Sequence, residues 1–330
     1  MRKCVFIIPY FGSFPEMFPV FLKTCEWNKE FNWLLFTDNK ETYNYPDNVK
    51  VVEMTFEEMK SILKRKFDFQ ISLEEPHKLC DYKPAYGYIF EDYLSEYKFW
   101  GHCDIDTIMG NLSRFITDEL LDKYDKLFCL GHMVLYRNTL QNNRVFMSDF
   151  RGKSLYRDSF SDSKTTVFDE TFRSENNINT IFIDQGLRVL QEDWSVNFKI
   201  QPTRFIKITY NYRTGNYDEE YRKDELYVWS NGNVYRYYVE NGSLLREEFL
   251  YMHLQLRRMK YHESILVSRE FKIVPESFLP LETWPITIKS FNIIKKKTWN
   301  YHFINMKRHN LKDKYKRYKE RLRMYVERLK

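Results

Sequence analysis

Alanine is nearly missing from this chain: of 330 residues, Ala85 alone is one. Lys, Asn, Ile, Tyr and Phe are all common, which reads as a codon bias of the genome. The aromatic share of 18%, with 25 Tyr and 27 Phe, is therefore read as core filling before it is read as a ligand platform. Long apolar runs are also lacking. No segment approaches the roughly 18 uninterrupted apolar residues of a spanning helix, and mean hydropathy is −0.61, so a multi-pass membrane protein is excluded. The five cysteines, at 4, 25, 80, 103 and 129, are odd in number, widely spaced and without a C-x-x-C pair. That argues against a disulfide framework or zinc knuckle and for a reducing compartment. Met1 to Ile8 could mimic a signal peptide, but Pro9, Pro15 and Pro19 interrupt it and no small-residue cleavage site follows. A first β-strand and a cytoplasmic location are expected.

What remains is a globular balance of 43% apolar and 30% charged residues, enough chain to bury a core unaided by disulfides or metals. The net charge of +6 is not spread evenly. Residues 307–330 hold 11 Lys/Arg against Asp313, Glu320 and Glu327, a net of +8, which leaves −2 for the rest. The body thus has no field favouring nucleic acid. Within the tail, Leu311, Tyr315, Tyr318, Leu322, Tyr325 and Leu329 recur at spacings of three and four, one apolar-aromatic stripe on a basic helix. Such a helix suits an anionic membrane surface, each basic residue adding about 1 kcal/mol; packing on its own domain is the equal alternative, and RNA a weaker third.

Hydropathy and turn residues give the element order. Strands are expected at Lys3 to Ile8, Trp33 to Phe36, Val49 to Glu53 and Tyr97 to His102. Helices are expected over about 14–27, from a capping box at Thr55-Phe56-Glu57-Glu58 to about Phe67, and over 79–93 with Pro84 near its first turn. This alternation predicts a parallel sheet of βαβ units, with ligands at the carboxyl ends of its strands. Pro9-Tyr10, Thr37-Asp38 and Asp104-Ile105-Asp106 all fall at such ends. Further on, one or two strands are expected over 127–136 around Gly131-His132. A polar mobile loop is expected over 151–177, and a helix over 183–190. An antiparallel meander is expected over 226–250, turning at Asn231-Gly232 and Asn241-Gly242. No repeat or Gly/Ser- or Pro-rich linker divides the body. The reading is one α/β domain over 1–270, with a nucleotide half to about 125 and an acceptor half over 126–270, then a basic, largely helical extension over 271–330.

The only D-x-D, Asp104-Ile105-Asp106, closes the apolar strand Phe99-Trp100-Gly101-His102. With side chains of period two, both carboxylates point to one side of an extended segment. Two hard oxygen donors there suit Mg²⁺ or Mn²⁺, with diphosphate oxygens and water completing the shell. A cation so placed lowers the cost of charge on a diphosphate leaving group.

Three blocks extend this motif: Lys78-Leu79-Cys80-Asp81-Tyr82-Lys83-Pro84-Ala85-Tyr86-Gly87, the segment from Phe99 to Asp106, and Glu248-Phe249-Leu250-Tyr251-Met252-His253-Leu254-Gln255. In order and spacing the chain resembles bacterial GT-A-type glycosyltransferases of capsule and O-antigen clusters, from the first strand to about residue 260. The resemblance implies a Rossmann-type nucleotide-binding sheet, a nucleotide-sugar donor (a UDP-sugar), Mn²⁺ or Mg²⁺, and a glycan or lipid-linked glycan acceptor. It implies metal ligands Asp104, Asp106 and His253, with Asp104 nearer the ribose. It implies nucleoside contacts from Pro9, Tyr10, Phe11 and Asp38, and a phosphate contact from Lys83 oriented by Asp81. Read on chemistry alone, His253 is as readily a structural histidine, and Asp81 a helix N-cap. An acceptor hydroxyl also needs a base opposite the leaving group. Asp169 is the expected base and Glu170 the alternate, with Gly131-His132 and Asp184-Gln185 as weaker acceptor-side candidates; such a base fits an inverting displacement.

Two other functions compete. A sugar nucleotidyltransferase would carry a Gly-rich basic first loop, whereas Pro9-Tyr10-Phe11-Gly12-Ser13 has one glycine and no Lys or Arg before Lys23. A non-enzymatic membrane- or RNA-binding module would use the tail and leave the strand-end acids unexplained.

Overall fold

The computed structural model describes residues 2–295 except 173, 202, 203 and 256, together with 304, 308, 309, 311, 312, 314, 315, 318 and 319. Three runs of extended chain build it. The first is β1 (Arg2–Pro9), β2 (Phe31–Thr37), β3 (Val49–Glu53), β4 (Tyr97–Cys103) and β5 (Thr107–Met109). The second is β6 (Lys126–Leu127), β7 (Met133–Arg137), β8 (Val189–Leu190), β9 (Ser195–Phe198), β10 (Lys207–Asn211) and β11 (Asn216–Glu220). The third is β12 (Glu225–Ser230), β13 (Asn233–Glu240), β14 (Ser243–Phe249), β15 (Tyr251–His253), β16 (Lys260–Tyr261), β17 (Glu270–Val274) and β18 (Ser277–Pro280).

The main sheet has the order β3-β2-β1-β4-β7-β6-β8. From β3 to β4 it is parallel; β7 then runs antiparallel to β4. In β1 the side chains alternate between two cores: Val5 and Ile7 join one, Cys4, Phe6 and Ile8 the other. A strand buried on both faces reads as a continuous apolar run, and the sequence of β1 does. Helix α1 (Phe18–Glu26) packs on the second core, and α2 (Phe56–Lys66) on the first. Thr55 closes α2 with a reciprocal cap: Glu58 N–H donates to Thr55 Oγ1 at 3.2 Å, and Thr55 N–H donates to Glu58 at 2.7 Å.

The chain leaves β1 towards β2 on one side and places β4 on the other. That reversal is a topological switch point, where the carboxyl ends of adjacent strands part and open a crevice. A second sheet, β11-β10-β9-β15-β5, sits at this point. It sets Thr107 of β5 opposite His253 of β15, and His253 beside Asn197 of β9. The third sheet, β14-β13-β12-β17-β18-β16, contains the expected meander. Its two Asn-Gly turns take positive φ at both residues, 47° and 82° at Asn231-Gly232 and 50° and 76° at Asn241-Gly242, the geometry of a two-residue hairpin loop.

Several expectations change. The helix over 79–93 is four short helical pieces, Leu79–Tyr82, Lys83–Ala85, Tyr86–Ile89 and Glu91–Tyr93. Pro84 lacks a backbone N–H, and Gly87 passes so close to Trp100 that a Cβ would lie 2.3 Å from its ring; tertiary packing replaces a regular helix. The helix expected over 183–190 lies earlier, at Ile178–Asp184, where Asn177 caps it through Asn179 N–H and Thr180 N–H. Leu155–Ser161 forms a helix inside the stretch expected as loop. The boundary expected at 270 falls within the third sheet, since β17 pairs with β12, and Phe291 and Ile294 of the helix Ile288–Ile294 are buried beyond it. Most of the basic tail, including Leu322, Tyr325 and Leu329, lies outside the described residues. Its described stripe members Leu311, Tyr315 and Tyr318 are helical and 67%, 62% and 62% exposed. Among the described residues no helix is long and apolar enough to cross a membrane.

Candidate metal centre and nucleotide cavity

A cavity of about 790 Å³ occupies the switch point. Residues 7–11, at the end of β1, and 102–106, at the end of β4, form two of its walls; His253, Gln255, Arg257, Arg258 and Met259 form another. Asp104 and Asp106 stand where β4 ends and β5 begins. Thr107 Oγ1 donates to Asp104 O at 2.6 Å, and Asp104 N–H donates to His132 O at 3.1 Å, so the turn carrying both carboxylates is pinned from two sides.

The ligating atoms of Asp104, Asp106 and His253 lie within 4.8 Å of one another, a grouping that could hold a metal ion. His253 Nε2 is 3.5 Å from Asp106 Oδ1 and 4.0 Å from Asp104 Oδ2. Both separations exceed the about 2.7–2.9 Å of a short charge-assisted hydrogen bond. Burial lowers the basicity of His253, but Asp106 and Asp104 outweigh it and raise the ring above its ordinary value. Two carboxylate oxygens and an imidazole nitrogen fit Mn²⁺ better than Mg²⁺, which prefers oxygen alone.

The ring of His253 is oriented by residues that sequence reasoning missed. Asn197 Oδ1 accepts from Phe198 N–H at 2.9 Å, which fixes that edge of the amide as oxygen. The same oxygen is 3.1 Å from His253 Nδ1 and accepts from Gln255 Nε2 at 3.0 Å. His253 therefore carries its proton on Nδ1 when neutral and presents the Nε2 lone pair to the carboxylates. Such a partner to a ligating histidine sets the tautomer and the ring angle. Asn197 Nδ2 faces His132 Nε2 at 3.5 Å, and His132 Nδ1 meets Tyr251 OH at 2.6 Å. His132 is stacked on His253 with centroids 4.3 Å apart. Burial, then the charge of His253, pushes His132 well below its ordinary value, so it stays neutral.

Lys83 joins this centre to the next acid. Its Nζ contacts Asp104 Oδ1 at 2.8 Å, Gly131 O at 2.8 Å and Asp169 Oδ2 at 3.4 Å. Two of the three N–H donors of the ammonium go to Asp104 and Gly131, and Asp169 is held as an ion pair. Burial opposes the charge on Lys83, yet Asp104 and Asp169 hold its pKa well above the ordinary value. Asp169 is 4% exposed, and burial, against the pull of Lys83, raises its carboxyl to about 7. Glu170 accepts from Gly131 N–H at 2.9 Å. Neither acid is among the residues lining the cavity; Asp169 reaches the centre through Lys83.

Other expected site residues sit nearby with different partners. Pro9, Tyr10 and Phe11 line the cavity. Asp38 accepts from Gly12 N–H at 2.7 Å and so clasps the loop that follows β1. Asp81 is fully buried and bonded to Lys78 Nζ at 2.7 Å, Thr166 N–H at 2.9 Å and Phe168 N–H at 3.0 Å. It holds the segment that delivers Asp169 and makes no hydrogen bond to Lys83, the residue it was expected to orient.

A family model matches residues 6–282, and the chain belongs to that family, described as a family of unknown function (DUF6625). No curated protein matches the chain. Among solved structures it is similar to the galactosyltransferase LgtC in complex with donor and acceptor sugar analogs, at 10% identity and a TM-score of 0.35 over 59% of this chain and 75% of that one. It is also similar to an active-site mutant of LgtC, at 9% identity and a TM-score of 0.34 over 59% of this chain and 74% of that one. Likeness at this level carries no argument about chemistry, which rests here on the residues of the chain itself.

Proposed function

We propose that this protein is a metal-dependent glycosyltransferase that moves a hexose from a nucleotide-diphosphate donor, a UDP-sugar, to a growing bacterial surface polysaccharide. The observation that carries the reading is the convergence of Asp104, Asp106 and His253 on the lip of a large cavity at the sheet's switch point. A divalent cation held there would supply positive charge against the diphosphate leaving group. Tyr10 and Phe11 would flank the nucleoside, with Asp38 keeping their loop in place. Asp104 would serve both the cation and, through Lys83, the acceptor side.

The transfer breaks the bond from the anomeric carbon to the donor phosphate oxygen and forms one to the acceptor oxygen. The acceptor proton goes to a base. Asp169 fits better than Glu170, because Glu170 is committed to Gly131 N–H, whereas Asp169 has a carboxyl near 7, close to the pH at which it would work. A single displacement of this kind inverts the anomeric centre. The basic tail with its apolar-aromatic stripe would hold the enzyme at the inner, anionic face of a membrane, where a lipid-linked acceptor would be met.

The test is donor hydrolysis and transfer across a panel of nucleotide sugars, with and without Mn²⁺. Asp104→Asn and Asp106→Asn should each abolish both turnover and calorimetric Mn²⁺ binding. Turnover that survives both substitutions ends the metal-clamp mechanism. In the wild type, kcat/KM should rise with pH through about 7 as Asp169 ionises, and Asp169→Asn should remove that limb along with most of the activity.

A further inference from the structure

Asp169 reaches Lys83 along backbone that departs from the usual conformations. Val167, two residues before it, has a φ of 60°, in the left-handed region. For a β-branched residue that is a genuine outlier, because the Cβ crowds the following carbonyl. Glycine would take the conformation freely, yet the chain has Val. Such strain persists only where the surroundings over-determine it, and it gathers at functional sites.

One buried carboxylate over-determines this turn. Asp81 accepts from Thr166 N–H through Oδ2 at 2.9 Å and from Phe168 N–H through Oδ1 at 3.0 Å, the two amides on either side of Val167. Lys78 Nζ bonds the same Oδ2 at 2.7 Å, and also donates to Ser159 O at 2.9 Å and Lys164 O at 2.6 Å. The pair thus fastens the exposed run 161–166 that leads into the turn. Past the turn, Phe168 is buried in the core and its carbonyl accepts from Ile178 N–H at 2.9 Å, while Asp169 meets Lys83.

The segment that Asp169 faces is held in a similar way. Gly131 passes so close that a Cβ there would lie 2.6 Å from Asp169 Oδ2. Three residues earlier Phe128 is also left-handed, with a φ of 70°, and its carbonyl accepts from Nζ of the buried Lys126. Thr171 N–H donates to Cys129 O at 3.0 Å and ties the two segments together. Asp169 and Gly131 each follow a left-handed residue whose backbone a buried charge holds.

We propose that Asp81 is a positioning residue for Asp169: its carboxylate keeps Val167 in the left-handed turn and so sets the acid against Lys83 and Gly131. The proposal rests on the reading of Asp169 as acceptor base for its effect on turnover, not for its geometry.

A double-mutant cycle on the full chain tests it, with Asp81→Asn, Val167→Gly and the two combined. An amide has one acceptor oxygen, so Asp81→Asn cannot keep both N–H groups. It should lower kcat about 10–100-fold and leave KM for the donor within about twofold. Glycine lets the turn form without the clasp, so the combined variant should regain about fivefold or more of the lost kcat. If Asp81→Asn does not fold, Lys78→Gln/Asp81→Asn, which leaves no buried charge unpaired, takes its place in the cycle. A fall in melting temperature with kcat unchanged makes Asp81 merely structural and overturns the proposal, as does an effect of Val167→Gly equal in both backgrounds.

Carboxyl ¹³C NMR gives a reading that needs no turnover, with the Asp169 signal assigned by its loss in Asp169→Asn. Asp81→Asn should lower the midpoint of that signal, both by freeing the acid from burial and by removing a neighbouring negative charge. Val167→Gly cannot restore the charge, so recovery of the midpoint in the combined variant reports position alone. Such recovery in a chain that turns over no nucleotide sugar keeps the positioning role and removes the base. A midpoint that is the same in Asp81→Asn with and without Val167→Gly overturns the positioning role, whatever the activity.

Discussion

Asn197 decides which nitrogen of His253 faces Asp104 and Asp106. Asn197→Leu removes the acceptor for Nδ1–H while leaving all three ligands, so Mn²⁺ affinity should fall about 10–100-fold by calorimetry. The ¹⁵N shifts of the His253 ring in the metal-free protein should also move towards the other tautomer. Unchanged shifts would mean that the ring is held by packing on His132 alone. Asp169 yields a second prediction. Burial holds its carboxyl at about 7 in the folded state, above its ordinary value of 3.8. Between those values the folded chain keeps a proton that the unfolded chain has lost, so this residue's contribution to stability is present at low pH and disappears as pH rises through about 7. The melting temperature of wild type relative to Asp169→Asn should therefore decline from pH 5 to pH 8; a difference independent of pH refutes the assignment. At this scale the D-x-D was legible as two neighbouring acids at the end of an apolar strand, although a turn between β4 and β5, rather than the period of an extended strand, carries both carboxylates. Asn197 and Tyr251 were not, since no spacing marks a polar residue whose partner is brought in by another strand.

The element that assembles the candidate metal centre is the short pairing of β5 with β15. Just past that pairing lies Gly110, where an added Cβ would lie 2.5 Å from Phe249 O and 2.7 Å from Leu250 O. Both are backbone atoms, so Gly110→Ala must part the strands. We expect a loss of about 1–3 kcal/mol in stability, seen as a lower melting temperature, together with weaker Mn²⁺ binding although no ligand is touched. Full Mn²⁺ affinity in a destabilised Gly110→Ala would show that this pairing does not set His253. Thr55→Ala offers the comparison: losing the cap of α2 should cost about 1 kcal/mol and leave Mn²⁺ binding intact. Elements with strong local signals were readable, namely β1, the capping box and both Asn-Gly hairpins. The pieces over 79–93 were not, because a helical pattern does not reveal that Gly87 must give way to Trp100.

For the whole molecule, the charge divides a body near neutrality from a basic tail. Removing residues 307–330 should leave Mn²⁺ and nucleotide binding unchanged while abolishing sedimentation with vesicles rich in anionic lipid. Binding of the intact chain to those vesicles should weaken as salt is raised, since Debye screening shortens the reach of its charges. If the truncated chain still sediments with the vesicles, the surface that binds lipid lies on the body. The architecture also extends past the expected boundary at 270, because β17 and β18 complete the sheet that the meander begins. A pattern read residue by residue could not supply that, since β17 pairs with β12 across a long stretch of intervening chain.

The order of amino acids by itself determined the parallel half of the sheet, the hairpins, the segregation of charge and the pair of carboxylates at a strand end. These follow from periodicity, turn chemistry and composition, which act over a few neighbouring positions. Only the tertiary structure decided that His253 faces those carboxylates and that Lys83 bridges Asp104 and Asp169. Those outcomes depend on which strands pair and on how many hydrogen-bond partners each buried group then finds, quantities that exist only once distant parts of the chain have met.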